Sequence, residues 1–189
     1  MAESIIFLFI TGAGMIALIY AFKITWIDPR LPLIALVLLI VPGMYAAITG
    51  GPFVPSDRKR HRTMLKLADL KSSDIIYDLG CGDGRFVFSA APHVKKAIGY
   101  ELSLPLLLWG KFMSIFHSKK AFIRYGDIWK QDYSDATLIF VYLLPKSMKR
   151  FYKEIWPKLK PGTRVISNAF QIHDLKPAQE EEKVYLYKR

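Results

Sequence analysis

Residues 74–85 carry the clearest signal for the fold and read Asp74-Ile75-Ile76-Tyr77-Asp78-Leu79-Gly80-Cys81-Gly82-Asp83-Gly84-Arg85. Its first half is a short apolar run, which is typical of a buried strand. Three glycines follow at once, and glycine lets the backbone turn sharply and lets a ligand approach without Cβ clashes. The stretch therefore predicts a strand that ends in a ligand-binding turn.

Strand and helix patterns alternate on both sides of this turn. An amphipathic stretch at residues 64–70 precedes it. Further strands are predicted at 97–101, 121–125, 137–143, 163–170 and 184–187, helices at 86–91, 104–116 and 145–159, and a solvated acidic loop at 180–182. Such alternation indicates an α/β fold with a mostly parallel sheet and helices on both faces, in which ligands bind at the carboxyl ends of the strands.

Charged and apolar residues are segregated along the chain. It has 189 residues, is 52% hydrophobic and carries a net charge of +11. Residues 1–56 contribute no net charge, so the whole excess lies in residues 57–189. This composition excludes disordered, collagen-like and coiled-coil proteins, and one cysteine excludes a disulfide scaffold. The four histidines lack the spacing of metal ligands, so no metal is expected.

Two uncharged runs of 19 residues each, 4–22 and 31–49, predict a transmembrane helical hairpin. A helix of that length spans about 28 Å, close to the hydrocarbon thickness of a bilayer. A signal peptide is disfavoured because the first run follows Glu3 and has no cleavage site. A buried soluble hairpin is disfavoured because both runs exceed typical core helices. The predicted division is residues 1–50 for the two membrane helices and 51–189 for the α/β domain.

Basic residues near the second run predict the orientation of this hairpin. They are Arg58, Lys59, Arg60, Arg62 and Lys66, against Lys23 and Arg30 between the two runs. By the positive-inside rule, the protein is expected to be an integral membrane protein with its α/β domain on the cytoplasmic or organellar-matrix side. The bilayer is thus a predicted partner.

Acidic residues at strand ends select the ligand. A dinucleotide loop of the G-x-G-x-x-G type would need glycine where this chain has Arg85, and the buried carboxylate of Asp78 would repel a diphosphate. S-adenosylmethionine (SAM) fits better, because it carries an ammonium and a sulfonium and its carboxylate can meet backbone amides. Glu101, at the end of the next strand, is placed to accept hydrogen bonds from ribose hydroxyls. Asp127 follows the third strand, where it could receive the adenine amino group.

The chain resembles a known family over residues 51–177. The matching pieces are Pro52-Phe53-Val54-Pro55, Asp78 to Arg85, Gly99-Tyr100-Glu101-Leu102, Asp127-Ile128-Trp129-Lys130 and Leu144-Pro145. This family comprises the mitochondrial lysine methyltransferases of the ATP synthase c-subunit and of the adenine nucleotide translocase, with their prokaryotic relatives. The resemblance implies a Rossmann-like class I methyltransferase domain that uses SAM. The predicted cofactor contacts are Phe53, Pro55, Asp78, Gly80, Cys81, Gly82, Gly84, Glu101, Asp127 and Ile128.

The acceptor pocket is expected along residues 140–145. Tyr142 is the candidate catalytic residue because it could contact a lysine amine, although a strand tyrosine could equally serve packing. The Asn/Asp-Pro-Pro-aromatic pattern of amide and adenine methylating enzymes is missing there, which disfavours DNA and glutamine. The favoured prediction is a protein-lysine N-methyltransferase acting on a membrane protein. Alternatives are a methyltransferase of a lipid or quinone, a non-catalytic SAM-binding protein and, more weakly, an RNA methyltransferase, since no basic-aromatic RNA motif accompanies the charge.

Overall fold

The structure, a computed structural model, describes residues 54–173 and 175–189, together with Asp28, Arg30, Leu31, Ile34, Val37 and Val41. The first predicted membrane segment (4–22), most of the second (31–49), the boundary near residue 50 and Phe53 lie outside the described residues. Within the described part of the chain, no helix is both long enough and apolar enough to cross a bilayer.

Helices and strands alternate through residues 58–188. The helices are α1 (Arg58–Ala68), α2 (Arg85–Ala90), α3 (Leu104–Ser114) and α4 (Pro145–Glu154). The strands are β1 (Ile75–Leu79), β2 (Lys96–Glu101), β3 (Ala121–Tyr125), β4 (Leu138–Val141), β5 (Arg164–Asn168), β6 (Gln179–Glu181) and β7 (Val184–Lys188). The predicted α/β fold is therefore confirmed for this region.

All seven strands form one sheet in the order β3-β2-β1-β4-β5-β7-β6. Strands β1 to β5 are parallel to their neighbours, whereas β7 runs antiparallel to β5 and to β6. Asp78 on β1 is in register with Gly99 on β2 and with Phe140 on β4. The end of β1 thus lies at the centre of the sheet, where the strand order reverses and ligands of open α/β sheets bind.

Apolar side chains cover both faces of the sheet. Residues from α1, α2 and α3 pack on one face, and residues from α4 pack on the other. Because both faces are covered, the central strand β4 (Leu138–Val141) is apolar and buried at every position. The helices that flank the carboxyl ends of the strands are thereby fixed in place.

A buried ion pair connects β5 with the segment before β1. Arg164 lies 2.6 Å from the carboxylate of Asp74, and Thr137 donates a hydrogen bond to the same carboxylate at 2.8 Å. Arg164 also donates to the backbone carbonyls of Ala68 and Asp69, at the end of α1. Burial acts to raise the pKa of Asp74, but the hydrogen bonds from Arg164, the Lys71 amide and Thr137 outweigh it and lower that pKa.

The acidic run at 180–182 was expected to be a solvated loop; it is largely exposed to solvent, but the prediction of a loop was wrong. Glu180 and Glu181 belong to β6, and Glu182 and Lys183 form the turn to β7 with φ of 53° and 59°. A two-residue turn with both φ values positive matches the twist of a hairpin, although Glu-Lys lacks the usual Asn-Gly signal. The acids also pair with α1, since Lys66 meets Glu181 and Lys59 meets Glu182, each at 2.8 Å.

Candidate active site

The glycine loop after β1 adopts backbone conformations that favour glycine. Gly80, Gly82 and Gly84 have φ of 80°, 58° and 79°. The amides of Gly80 and Cys81 both donate to the carbonyl of Tyr100 at 3.0 Å, which fixes the loop to β2. A Cβ on Gly84 would lie 2.8 Å from the ring of Phe88. The three glycines are therefore required by the turn itself.

Glu101 fastens this loop from the end of β2. One carboxylate oxygen accepts from the Gly82 amide at 2.8 Å, and the other accepts from the amides of Leu102 and Ser103 at 2.9 and 2.7 Å. Burial raises the pKa of Glu101, and the three backbone hydrogen bonds partly offset that rise. A carboxylate offers about four acceptor positions, so one remains for a ligand.

Asp78 ends β1 inside the site with its carboxyl group buried. Within the described residues, its side chain makes no hydrogen bond or ion pair. Burial, followed by the negative charges of Glu101 and Asp83, raises the pKa of Asp78 to about 7. A buried carboxylate without a partner is costly, and a cationic ligand would remove that cost.

Asp127 follows β3 at the neighbouring strand end. Its carboxylate caps a short 3₁₀ helix, Ile128–Lys130, by accepting from the amide of Trp129 at 3.0 Å. Ile128 is buried behind it, and Arg150 of α4 stacks over the Trp129 ring, 4.2 Å from its centroid. The cap directs one carboxylate oxygen into the helix, and the second oxygen lies 4.0 Å from the exposed ammonium of Lys130.

One cavity of about 320 Å³ joins these strand ends. Of the predicted cofactor contacts, Pro55, Asp78, Gly80, Cys81, Glu101, Asp127 and Ile128 line it, as does Tyr142. Gly82 and Gly84 are not among the lining residues, and their contribution is to the shape of the loop. Burial, and then the charge of Asp78, raises the pKa of the Cys81 thiol, which keeps that thiol protonated beside the cavity.

Arg85 and His61 also line the cavity, although they were not among the predicted contacts. Arg85 pairs with Asp83 at 2.6 Å and donates to the carbonyl of Ser56 at 3.3 Å. His61, on α1, shares a 3.1 Å hydrogen bond with Ser89, whose hydroxyl donates to the Arg85 carbonyl. Burial lowers the pKa of His61, and Arg85 adds to that effect. The hydroxyl must then accept from His61 Nε2–H, which leaves Nδ1 as an acceptor. No local pattern in the sequence predicts that α1 packs against the glycine loop.

Tyr142 lies just after β4 and is half-buried. Its ring is tilted against Phe170, with 6.4 Å between centroids, and both line the cavity. The pKa of Arg60 is raised first by its hydrogen bond to Asp57 and also by one to Tyr142. Asn168, at the end of β5, accepts from Arg60 at 3.5 Å and donates to Ser56 at 2.9 Å. The segment before α1 is thus held against the wall that carries Tyr142.

The donor set of the cavity fits SAM. Its carboxylates can take up an ammonium and hydroxyls, the glycine loop provides a close backbone approach, and Asp78 lacks a partner among the described residues. Bound there, SAM supplies an electrophilic methyl group. Within the same part of the chain, no group of three or more His, Cys, Asp or Glu side chains is arranged to hold a metal ion.

Comparison with known proteins agrees with this chemistry. The family model described as the ANTKMT methyltransferase domain matches residues 78–179. A protein-lysine N-methyltransferase of Saccharolobus islandicus is 36% identical over 132 residues, which cover 68% of this chain and 82% of that protein. The lysine N-methyltransferase of the ATP synthase c-subunit from Mus musculus is 27% identical over 167 residues, which cover 85% of this chain and 60% of that protein.

A solved structure is also similar. It is an RNA methyltransferase from Salinibacter ruber in complex with S-adenosyl-L-homocysteine, with 31% identity and a TM-score of 0.66. The match covers 71% of this chain and 93% of that one. The predicted class I methyltransferase fold is therefore confirmed. With its glycine loop, its three strand-end carboxylates and these matches, the chain is a SAM-dependent methyltransferase that belongs to the ANTKMT methyltransferase domain family.

Proposed function

We propose that the protein transfers the methyl group of SAM to the side-chain amine of a lysine in another protein. The main support is the relative from Saccharolobus islandicus, a protein-lysine N-methyltransferase that is 36% identical and is covered over 82% of its length. The membrane-protein substrate is a further part of the proposal. It draws on the mouse relative, which is named for the c-subunit of ATP synthase.

The cavity suggests how SAM is held. Asp78 pairs with the ammonium, and the free acceptor position of Glu101 takes a ribose hydroxyl. The second oxygen of Asp127 takes the adenine amino group, beside the apolar wall of Ile128. Gly80 and Cys81 allow the methionine end to approach the backbone, and Pro55 covers that end.

Methyl transfer requires an uncharged lysine amine in line with the sulfonium methyl. Since a free lysine has a pKa of about 10.4, the pocket must favour loss of its proton before the nitrogen forms its bond to carbon and the carbon–sulfur bond breaks. The apolar wall at Phe140, Leu143 and Phe170 lowers the pKa of a bound amine by desolvation. Tyr142 orients the amine, because its phenol oxygen can accept from a lysine N–H in addition to Arg60.

We further propose that the apolar runs 4–22 and 31–49 hold the domain at a membrane. Leu31, Ile34, Val37 and Val41 lie in helical backbone and are exposed, each by at least 50%. Apolar side chains at such spacing need an apolar partner, and lipid provides one. Juxtamembrane lysines of a membrane protein would then be within reach of the cavity.

The test uses the purified full chain, methyl-labelled SAM and detergent-treated membranes. We expect label in a protein band, recovered as methyl-lysine after acid hydrolysis. Asp78→Ala and Asp78→Asn should abolish the labelling while retaining a cooperative unfolding transition. Active enzyme that leaves no methyl-lysine in any membrane protein would refute the proposal.

Two other acceptors have specific support. The Salinibacter ruber structure belongs to an RNA methyltransferase, so RNA is the second candidate. A lipid or quinone is the third, because the proposed anchor would also bring the cavity to membrane-soluble molecules. Ribonuclease-sensitive label would favour RNA, and label extracted into organic solvent would favour a lipid or quinone.

The role of Tyr142 has its own test. Tyr142→Phe removes the hydroxyl and keeps the ring against Phe170. We expect a lower kcat and a nearly unchanged Kd for SAM, because the hydroxyl faces the acceptor. Tyr152→Phe, on α4, is the matched control and should behave like the native chain. An unchanged kcat in Tyr142→Phe would leave Tyr142 with a packing role.

A further inference from the structure

The outer face of α3 is apolar and uncovered. It consists of Leu108, Trp109, Phe112, Ile115 and Phe116, which are exposed by 60, 53, 53, 73 and 68%. Their spacing places them on one side of the helix and its final turn. Trp109, Phe112 and Phe116 form a continuous row of rings, with 6.2 and 5.4 Å between successive centroids. Large aromatic side chains are therefore presented to solvent as a surface.

The inner face of the same helix is also apolar. Leu107 is buried, and Gly110 packs closely on Ile123 of β3. A helix that is apolar on both faces is normally surrounded by protein or lipid. The 11 residues of α3 span about 16 Å, which is too short to cross a bilayer. Such a helix can instead lie within the interface of a membrane.

The charges around this face are of one sign. No aspartate or glutamate occurs between Glu101 and Asp127 in the sequence, whereas Lys111, Lys119 and Lys120 are present and exposed. Aromatic and leucine side chains bordered by lysines are the composition of helices that bind anionic lipid surfaces. Tryptophan in particular favours the headgroup level of a bilayer.

We propose that the outer face of α3 binds the surface of a bilayer that contains anionic lipid. The inference goes beyond the proposed function, because it concerns the α/β domain's own surface and holds for any methyl acceptor. The first residues of α3 and the segment before it, including Ser103 and Leu106, line the cavity. A domain seated on this face would therefore keep one wall of its cavity next to the headgroups.

The test uses the full chain in phosphatidylcholine vesicles with and without phosphatidylserine. Cys81, the native cysteine, is buried, so an environment-sensitive dye can be attached at Phe112→Cys or Ile115→Cys. The matched control is Lys153→Cys on α4, against the opposite face of the sheet. We expect blue-shifted emission and quenching by brominated lipid at positions 112 and 115, and neither effect at 153.

A second experiment tests the contribution of the lysine charges. Lys119→Glu with Lys120→Glu in the Phe112→Cys chain should reduce quenching in vesicles with phosphatidylserine. Equal, weak quenching at 112 and 153 would overturn the inference. Cross-linking between two Phe112→Cys chains without a lipid-dependent shift would also overturn it, in favour of a second copy. Methyl transfer measured in the same samples separates either result from a failure of the proposed function.

Discussion

The carboxylate of Glu101 accepts a hydrogen bond from the backbone amide of Gly82 at 2.8 Å, across the gap between β2 and the glycine loop. Its other oxygen holds the amides of Leu102 and Ser103, which lead into α3. One side chain therefore sets the position of the loop and of the next helix relative to each other. The geometry of the cofactor cavity depends on this connection.

Glu101→Gln should damage both stability and cofactor binding. The amide group of glutamine has one acceptor oxygen, so in either orientation its NH₂ meets a backbone N–H. Hydrogen bonds to a charged group contribute about 1.5–3 kcal/mol, and we expect a loss of that size in the free energy of unfolding, measured with urea. The Kd for SAM, measured by calorimetry, should rise about tenfold or more, since 1.4 kcal/mol is a factor of ten.

The matched control for that substitution is Glu154→Gln on α4. Glu154 pairs with Arg150 on the surface at 2.8 Å, and exposed pairs contribute about 0–1 kcal/mol. Native affinity and stability in Glu101→Gln would show that the loop does not need the carboxylate.

Asp78 should make the stability of the SAM-free protein depend on pH. Its pKa in the folded chain is about 7, above its ordinary value of 3.8. The contribution of this group is therefore fully present below pH 3.8 and is lost as pH rises through about 7. The limiting slope for one proton is about 1.4 kcal/mol per pH unit. Asp78→Asn should flatten this part of the profile of unfolding free energy against pH.

SAM binding should show the opposite trend with pH. The ammonium pairs with the ionised carboxylate of Asp78, so affinity should increase as pH rises towards and through about 7. Binding near pH 6 should release a proton, which calorimetry in two buffers of different ionisation enthalpy detects. Affinity that is independent of pH between 5 and 8 would contradict the pairing of Asp78 with the ammonium.

Arg164→Met should lower the free energy of unfolding without altering the cavity. It leaves the buried carboxylate of Asp74 without its cation, and breaking a buried pair costs about 3–5 kcal/mol. Because the pKa of Asp74 is lowered in the native protein, the pair stabilises it above about pH 4, and that stability is lost as pH falls through the lowered pKa. Urea unfolding should show a smaller difference in unfolding free energy between the native chain and the variant at pH 3 than at pH 7.

The control for that substitution is Lys71→Met. Lys71 lies 3.9 Å from Asp69 in an exposed pair, so its loss should change stability by less than about 0.5 kcal/mol. An equal effect of the two substitutions would mean that burial does not strengthen the Asp74 pair.

Gly99→Ala should disturb the cofactor loop from the neighbouring strand. A Cβ on Gly99 would lie 2.5 Å from Sγ and 2.6 Å from Cβ of Cys81, and 2.9 Å from Val87. Overpacking of this kind costs about 1–3 kcal/mol, and thermal unfolding should show it. Cys81→Gly in the Gly99→Ala background should recover part of the loss. If the double variant were no more stable than Gly99→Ala, Cys81 would not be the neighbour that matters.

Much of the α/β domain was accessible from the sequence because its signals are local. The apolar run before Asp78 and the glycines after it predict a strand and a turn, and both are present. The strand predicted at 163–170 ends earlier, at Asn168, because Ala169 adopts a φ of 66° that its sequence does not signal. The β6–β7 hairpin was missed because its turn uses Glu182 and Lys183, which carry no turn preference.

Part of the candidate site could likewise be predicted from the sequence. Asp78, Glu101 and Asp127 follow strands that were predicted, and parallel strands bring their carboxyl ends to one edge. His61 and Asn168 reach the cavity by long-range packing between α1, the glycine loop and β5, which no local pattern encodes. Gly82 and Gly84 do not line the cavity, and their positive φ values serve the turn, so their contact with SAM stays a prediction.

The packing of α1 on β5 and β7 has a consequence for synthesis of the chain. The lysines of α1 pair with Glu181 and Glu182, and Arg164 donates to the carbonyl of Ala68 at the end of the helix. These partners follow α1 in the sequence by more than 90 residues, so the helix is synthesised long before them. His61 and Met64 of that helix line the cavity. The cofactor pocket can therefore close only when translation of the domain is nearly complete. Until then α1 is a basic, amphipathic segment without its partners on β5, β6 and β7, and we expect nascent chains stalled before β5 to show no SAM binding.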